Sequence, residues 1–260
     1  MSTSPARPIR TAVVTGAASG IGAEQVARLR ARGVRVVAAD LNPQIDAIYA
    51  ADSDVIPVAS DLARDNEAGT LVELAERELG SIDHLFHSVG IMPGGLIADT
   101  PAAQSLRVMD VNYGSMVRVV EAVLPGMRAR GHGQVVIMGS LTGYVPTARF
   151  ASYSASKAAT NSFVETLAHE ERAAGIQVLL VAPGAVKTPL LTQVAGGPPA
   201  IARLANKRVS PMMTNTGAVL DAVEKGLARG KTVVRPGGVL PALVRRLSPE
   251  LMWRLSAVLG

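Results

Sequence analysis

The 260-residue sequence predicts an α/β fold: a single doubly wound domain around a seven-stranded parallel sheet, with a helical C-terminal extension. Three observations carry this expectation. Short β-branched runs alternate with longer helical patterns along most of the chain. Apolar residues make up 48% of the sequence and aromatics only 3%. The core must therefore be built from Val, Leu, Ile and Ala, which suits buried parallel strands under Ala-rich helices. Glycines fall where helices hand over to strands, the positions that need positive φ.

The runs at 11–15, 34–40, 55–60, 82–88, 134–140, 176–182 and 231–235 read as strands. The stretches 23–32, 67–79, 102–130 and 153–174 read as helices. Right-handed crossovers between such elements place helices on both faces of the sheet. Gly33, Gly80 and Gly175 each follow a helix and precede a strand. Residues 1–10 read as a polar tail, 11–238 as the α/β domain with a lid at 190–213, and 239–260 as the extension.

Composition narrows the function classes. With no cysteine there is no disulfide, thiolate metal site or cysteine nucleophile, and no metal is expected. The first ten residues lack the apolar core of a signal peptide. No apolar run approaches the ~18 residues of a spanning helix, so a cytoplasmic protein is expected. The formal charge of +5 is uneven: from Leu191 onward, ten Lys/Arg face three Asp/Glu. Nucleic acid is not the expected partner, because stacking aromatics and a recognition motif are missing.

The first strand runs into Thr15-Gly16-Ala17-Ala18-Ser19-Gly20-Ile21-Gly22, and a helical pattern follows. Glycines there permit a tight turn, and a helix N-terminus offers free N–H groups to a pyrophosphate. The spacing G-x3-G-x-G differs from the G-x-G-x-x-G fingerprint, so an ordinary turn is the competing reading. Asp40 ends the second strand. A carboxylate there can accept ribose hydroxyls and would repel a 2′-phosphate, which favours NAD over NADP. Ser19 agrees, since no Arg or Lys occupies the turn. Alternatively, Asp40 caps a turn with Asn42 and Pro43. Asp61 and Leu62 follow the third strand, where they either border an adenine or cap the next helix.

Ser140 ends the fifth strand. Tyr153 and Lys157 stand four apart on one face of a helix. A free tyrosine titrates near ~10, and a neighbouring ammonium lowers the cost of its phenolate. Lys157 could also bind ribose hydroxyls, Ser140 could hold a substrate oxygen beside the tyrosine, and Asn112 could fix a water behind the lysine.

These residues, in this order, resemble the short-chain dehydrogenase/reductase family and its Rossmann-like fold. The likeness rests on the TGAASGIG turn, Asp61-Leu62, Asn112, Ser140, Tyr153-Ser154-Ala155-Ser156-Lys157 and Pro183-Gly184 with Thr188. It implies a catalytic set of Asn112, Ser140, Tyr153 and Lys157. It also implies an NAD site formed by Gly16, Ser19, Gly20, Ile21, Gly22, Asp40, Leu41, Asp61, Leu62, Ser88, Val89, Gly90, Tyr153, Lys157, Pro183, Gly184, Val186 and Thr188. The implied reaction is NAD(H)-dependent interconversion of a secondary alcohol and a ketone. The alternatives are an NADPH-dependent carbonyl reductase and a catalytically silent NAD-binding regulator. A homodimer or homotetramer is the implied assembly.

Two departures stand out. The family's Asn-Asn-Ala-Gly is replaced by His87-Ser88-Val89-Gly90, so His87 must tie neighbouring strands in place of an asparagine. The family's Val-Asp-Gly-Gly segment is replaced by Val233-Val234-Arg235-Pro236-Gly237-Gly238, which weakens the implication of a tetramer.

For the substrate end, Leu190, Leu191, Val194, Ile201, Leu204, Met212 and Met213 are expected to meet Ile91, Met92, Leu141, Tyr144, Val145 and Phe150 around an apolar pocket. Simple packing of the lid explains the same residues. In the extension, Leu240, Leu243, Val244, Leu247, Leu251, Met252, Trp253, Leu255, Val258 and Leu259 make an apolar face, edged by Arg245, Arg246 and Arg254. It could rest on an anionic membrane surface, form an oligomer contact, close over the pocket or pack on the protein itself.

Overall fold

Strands β1 (Thr11–Thr15), β2 (Arg35–Asp40), β3 (Val55–Ala59), β4 (His84–His87), β5 (Gly133–Met138), β6 (Ile176–Val181) and β7 (Val233–Val234) form one parallel sheet in the order 3-2-1-4-5-6-7. The computed structural model describes residues 8–193, 197, 213–237 and 239–251. The strand order reverses between β1 and β4, and the crevice of such a sheet opens there, at the carboxyl ends of the strands.

Helices α1 (Gly20–Arg30), α2 (Ile45–Tyr49) and α7 (Thr216–Ala228) lie against one face. Helices α3 (Glu67–Leu79), α5 (Ser115–Arg130) and α6 (Ala151–Glu170) cover the other. Alternate residues of a strand point to opposite faces, so β1 sends Val13 into one core and Val14 into the other. The aliphatic composition has this arrangement as its consequence. Gly33, Gly80 and Gly175 adopt φ of 73°, 79° and 76° and return the chain toward the sheet, as expected.

Several boundaries shift. The helix expected over 102–130 is α4 (Ala102–Met109), a π-helical turn at Asp110–Gly114 and then α5. The wider turn places Asn112 inward, and such π-bulges recur at functional sites. The first helix begins at Gly20, inside the glycine-rich turn. Most strands end earlier than the β-branched pattern suggests. Ser60, Ser88 and Ser140 therefore sit just beyond the ladder, where their side chains serve other partners. The helical extension is present as α8 (Val239–Leu247).

Strand β4 carries two buried imidazoles, each 1% exposed. His84 Nδ1 lies 3.2 Å from Gln134 Oε1. His87 Nδ1 lies 2.9 Å from Thr15 Oγ1 and so ties β4 to β1, while its Nε2 has no partner among the described residues. The expected strand tie is made at the cost of one unpaired nitrogen. Burial is the main cause holding His84 down at about 4 and His87 at about 3, from an ordinary 6.5. The unfolded chain therefore takes up protons below pH 6.5 that the folded chain refuses. Stability is retained above that pH and lost as pH falls toward the folded values. Each imidazole contributes a slope of up to about 1.4 kcal/mol per pH unit. Urea denaturation between pH 7 and 4.5 should show this loss, and His84→Gln should flatten part of it. An unchanged slope in that variant would remove His84 from the account.

Candidate active site

The nucleotide end is built by backbone approach. A Cβ on Gly22 would lie 2.0 Å from the Gly16 carbonyl oxygen, and one on Gly16 would lie 2.9 Å from the Ser88 backbone. Gly16 and Gly20 take φ of 69° and 57°, where side chains are strained. Ser19 caps α1 without using its hydroxyl, so the first N–H groups of the helix lack a side-chain partner there. This cradle suits an anionic group on both steric and dipolar grounds.

Neighbouring elements brace the turn. Asp40 accepts N–H groups from Ala18 and Asn42, each at 2.9 Å. The turn-capping role foreseen for Asp40 is therefore real, yet each oxygen keeps a lone pair for a further donor. Tyr49 donates its hydroxyl to the Ala17 carbonyl at 2.6 Å. Burial and the Asp40 charge push that phenol up to about 12, so it remains a donor at neutral pH. Ser88 donates to the Thr15 carbonyl at 2.8 Å. Asp61 caps its own turn through the Ala63 N–H and stands 3.5 Å from Arg107 on α4.

A cavity of about 700 Å³ runs from this turn to Tyr153. Its walls include Gly16, Ser19, Gly20, Ile21, Gly22, Asp40, Leu41, Asp61, Leu62, Ser88, Val89, Gly90, Pro183, Gly184, Val186 and Thr188. Ser140, Tyr153 and Lys157 line it as well, so of the expected site residues Asn112 alone stands outside the wall. Asn112 is 1% exposed and fully engaged. Its Oδ1 accepts the Ile91 N–H at 2.8 Å, and its Nδ2 donates to the Ile91 carbonyl at 3.0 Å and to Ser156 Oγ at 2.9 Å. The side chain clamps the loop after β4 onto α6.

At the chemical end, Lys157 donates to the Met138 carbonyl at 2.9 Å, and its Nζ lies 6.0 Å from the Tyr153 ring centre. Burial raises the Tyr153 phenol, and a hydrogen bond with Ser140 opposes it. Desolvation is the larger influence on the phenol, and the contact that opposes it is the serine. Asn161, which the sequence reading missed, grips Ser140 on both backbone groups. Its Nδ2 donates to the Ser140 carbonyl at 3.0 Å, and its Oδ1 accepts the Ser140 N–H at 3.4 Å. A signal for it existed: Tyr153, Lys157 and Asn161 continue one i, i+4, i+8 stripe.

The far end is apolar. Met92, Phe150 and Tyr153 form a small cluster with Leu190 and Leu191. Ile91, Leu141 and Val145 also line the cavity. Tyr144 does not: its hydroxyl donates to Glu165, and Arg235 sits 4.6 Å over its ring. Met213 is absent from the lining, and Val194, Ile201, Leu204 and Met212 lie outside the described residues. Pro241 of α8 and Gly237 border the cavity, so the extension reaches the pocket. Met252, Trp253, Arg254, Leu255, Val258 and Leu259 lie outside the described residues. Among the described residues, no cluster suits a metal ion and no helix is long and apolar enough to cross a membrane.

Known proteins resemble this chain in sequence and fold. The family model described as short chain dehydrogenase matches residues 10–197. The cis-4-hydroxycyclohexanecarboxylate dehydrogenase of Sinomonas cyclohexanicum is 36% identical over 194 residues, covering 73% of this chain and 77% of that protein. An uncharacterized oxidoreductase of Myxococcus xanthus is 31% identical over 230 residues, 86% of each chain. A short chain dehydrogenase/reductase from Burkholderia phymatum, crystallised in complex with NAD, shares the fold with a TM-score of 0.82 at 24% identity, over 94% of this chain and 95% of that one.

Burial holds the Lys157 ammonium down at about 8 from 10.5. The folded chain binds this proton less tightly than the unfolded chain does. The charge is therefore a full burden below about pH 8, and stability rises as pH climbs from there toward 10.5. Lys157→Met removes that burden, about 3 kcal/mol before the lost bond to Met138 is counted. Its thermal midpoint at pH 7 should exceed that of the unmodified chain by a few degrees, and the gap should close by pH 10. A lower midpoint at pH 7 would contradict this.

Proposed function

Because the chain belongs to the short-chain dehydrogenase family, we propose that it is an NAD(H)-dependent oxidoreductase interconverting an apolar secondary alcohol and its ketone. The observation carrying this reading is the single cavity that joins the glycine cradle to Tyr153, Ser140 and Lys157. The cradle and the free N-terminus of α1 suit the pyrophosphate, and Asp40 suits the adenosine ribose. Among the described residues, Arg107 and Lys157 are the cations of the lining. Arg107 is already paired with Asp61, and Lys157 lies at the Tyr153 end. Among the described residues, a 2′-phosphate would therefore meet the Asp40 carboxylate and no unpaired cation near it. Val89, Gly90, Pro183, Gly184, Val186 and Thr188 would hold the nicotinamide half.

When bound, the nicotinamide supplies or accepts the hydride. The chain's residues manage the proton. In oxidation, Tyr153 accepts the substrate hydroxyl proton as a general base; in reduction, it returns that proton to the developing alkoxide. Ser140 holds the same substrate oxygen by a hydrogen bond, which strengthens as negative charge grows there. Lys157 contributes positive charge near the phenolate and a donor for ribose hydroxyls. Asn112 holds Ile91 and α6 in register. Its main-chain carbonyl, which accepts the Thr160 hydroxyl at 3.5 Å, keeps a second lone pair for a relay water behind the lysine. The Met92, Phe150, Leu190 and Leu191 surface excludes water and favours an alicyclic or otherwise apolar skeleton.

The extension supports a further partner. Leu243 and Leu247 stand four apart on α8 and Leu251 lies beyond the break at Ser248; they are 51%, 77% and 48% exposed, with Arg245 and Arg246 on α8. We propose a peripheral contact of this face with an anionic membrane, beside a homodimer or homotetramer in solution.

Tyr153→Phe should bind NADH with unchanged affinity and lose at least about a thousandfold in turnover of a cyclohexanol and cyclohexanone panel. Near-normal rates would sink the assignment. Initial rates with NADH should exceed those with NADPH, and the reverse order would overturn the role of Asp40. The full chain should sediment with phosphatidylserine vesicles and release in high salt. Absence from the vesicle pellet at low salt, with light scattering reporting the assembly, would remove the membrane contact.

A further inference from the structure

We infer that Thr142 is a positioning residue that commits the Ser140 hydroxyl to donating its one proton, to Tyr153 or to the reacting oxygen. The argument is one of hydrogen-bonding capacity. A serine oxygen has two lone pairs and one proton. Ser140 Oγ accepts the Thr142 N–H at 3.2 Å and the Thr142 hydroxyl at 2.9 Å. One residue thus occupies both acceptor positions, and the only role left to the Ser140 hydroxyl is donation. Its direction of donation is limited, because Asn161 holds both backbone groups of Ser140. That asparagine is itself 2% exposed and lies where Gly139 and Gly143 leave room: a Cβ on either would come within 2.2 and 2.4 Å of its amide. Ser140, Thr142 and Tyr153 all line the same cavity.

The consequence concerns charge. A committed donor stabilises a phenolate or an alkoxide and adds much less to a neutral phenol. A serine free to rotate would serve either form. Thr142 therefore biases the site toward the oxyanion forms through Ser140, without touching the reacting atoms. The inference rests on the proposed role of Tyr153 as the proton-exchanging group.

The test follows the phenolate, so it needs no known substrate. Alkaline titration of phenolate absorbance, with the corresponding Tyr153→Phe protein subtracted in each background, isolates the Tyr153 midpoint. Thr142→Val keeps the shape and the backbone N–H but removes the hydroxyl. Its Tyr153 midpoint should rise by up to about one pH unit, the equivalent of one lost hydrogen bond. Thr142→Ser should keep the original midpoint. Should the valine variant not fold, Thr142→Ala carries the same expectation. An unmoved midpoint in the hydroxyl-free variant, or a serine variant displaced as far as the valine one, overturns the inference. Turnover of the Tyr153→Phe protein reports separately on the underlying reading: near-normal rates there would end the proposed chemistry while the titration still reports on Thr142.

Discussion

The approach of α1 to the end of β1 is the constraint on which the nucleotide end depends. With a Cβ position at Gly22 only 2.0 Å from the Gly16 oxygen, no other residue fits without moving the helix or the strand. That contact sets where the helix N-terminus opens. It also brings Ser88, just after β4, against Gly16, where its hydroxyl donates to the Thr15 carbonyl and joins the two halves of the sheet. Asp40 and Tyr49 then hold the turn from the β2 side, through Ala18 and Ala17. A dipole end and a set of N–H groups are thereby held in place before any ligand arrives.

The other end of the cavity carries an opposing tension. Lys157, Tyr153 and His87 are almost completely removed from solvent. Burial disfavours the charged form of each, lowering the two bases and raising the phenol. Such a cluster is costly as structure and useful as chemistry, because its proton affinities are displaced from their ordinary values. The surrounding amides and hydroxyls keep it ordered. Asn112 joins the β4 loop to α6, Asn161 joins the β5 end to α6, and Ser156 bridges the first of these clamps. Helix α6 is therefore the common support, and its burial against the sheet converts a stripe of residues into a site.

Much of this was legible along the chain. The alternation of β-branched and helical runs predicted the seven strands, and the glycine positions predicted where the chain turns back toward the sheet, although only Gly80 directly follows its helix while Arg30 and Glu170 end theirs two and four residues early. Both signals are local consequences of backbone sterics. The four-residue spacing of Tyr153 and Lys157 likewise needed only helical geometry. Boundaries were less legible. A π-turn at Asp110–Gly114 depends on packing that no 3.6-residue pattern records. Tyr144 looked like a pocket residue by proximity in sequence, yet Glu165 and Arg235 draw its ring away from the cavity. His87 needed a partner, but nothing in the sequence named Thr15.

The sequence alone thus determined the order of the elements and the chemical groups available at their ends, because both follow from short-range periodicity and side-chain identity. Only the tertiary structure decided which groups meet. The strand order 3-2-1-4-5-6-7 carries residues far apart in the chain to one crevice, and burial there, rather than residue type, sets how firmly each holds its proton. Thr142 became visible only at that level, because an orienting contact leaves no periodic mark on the chain; Asn161 lay on the helical stripe of Tyr153 and Lys157, but only the structure shows that it holds Ser140.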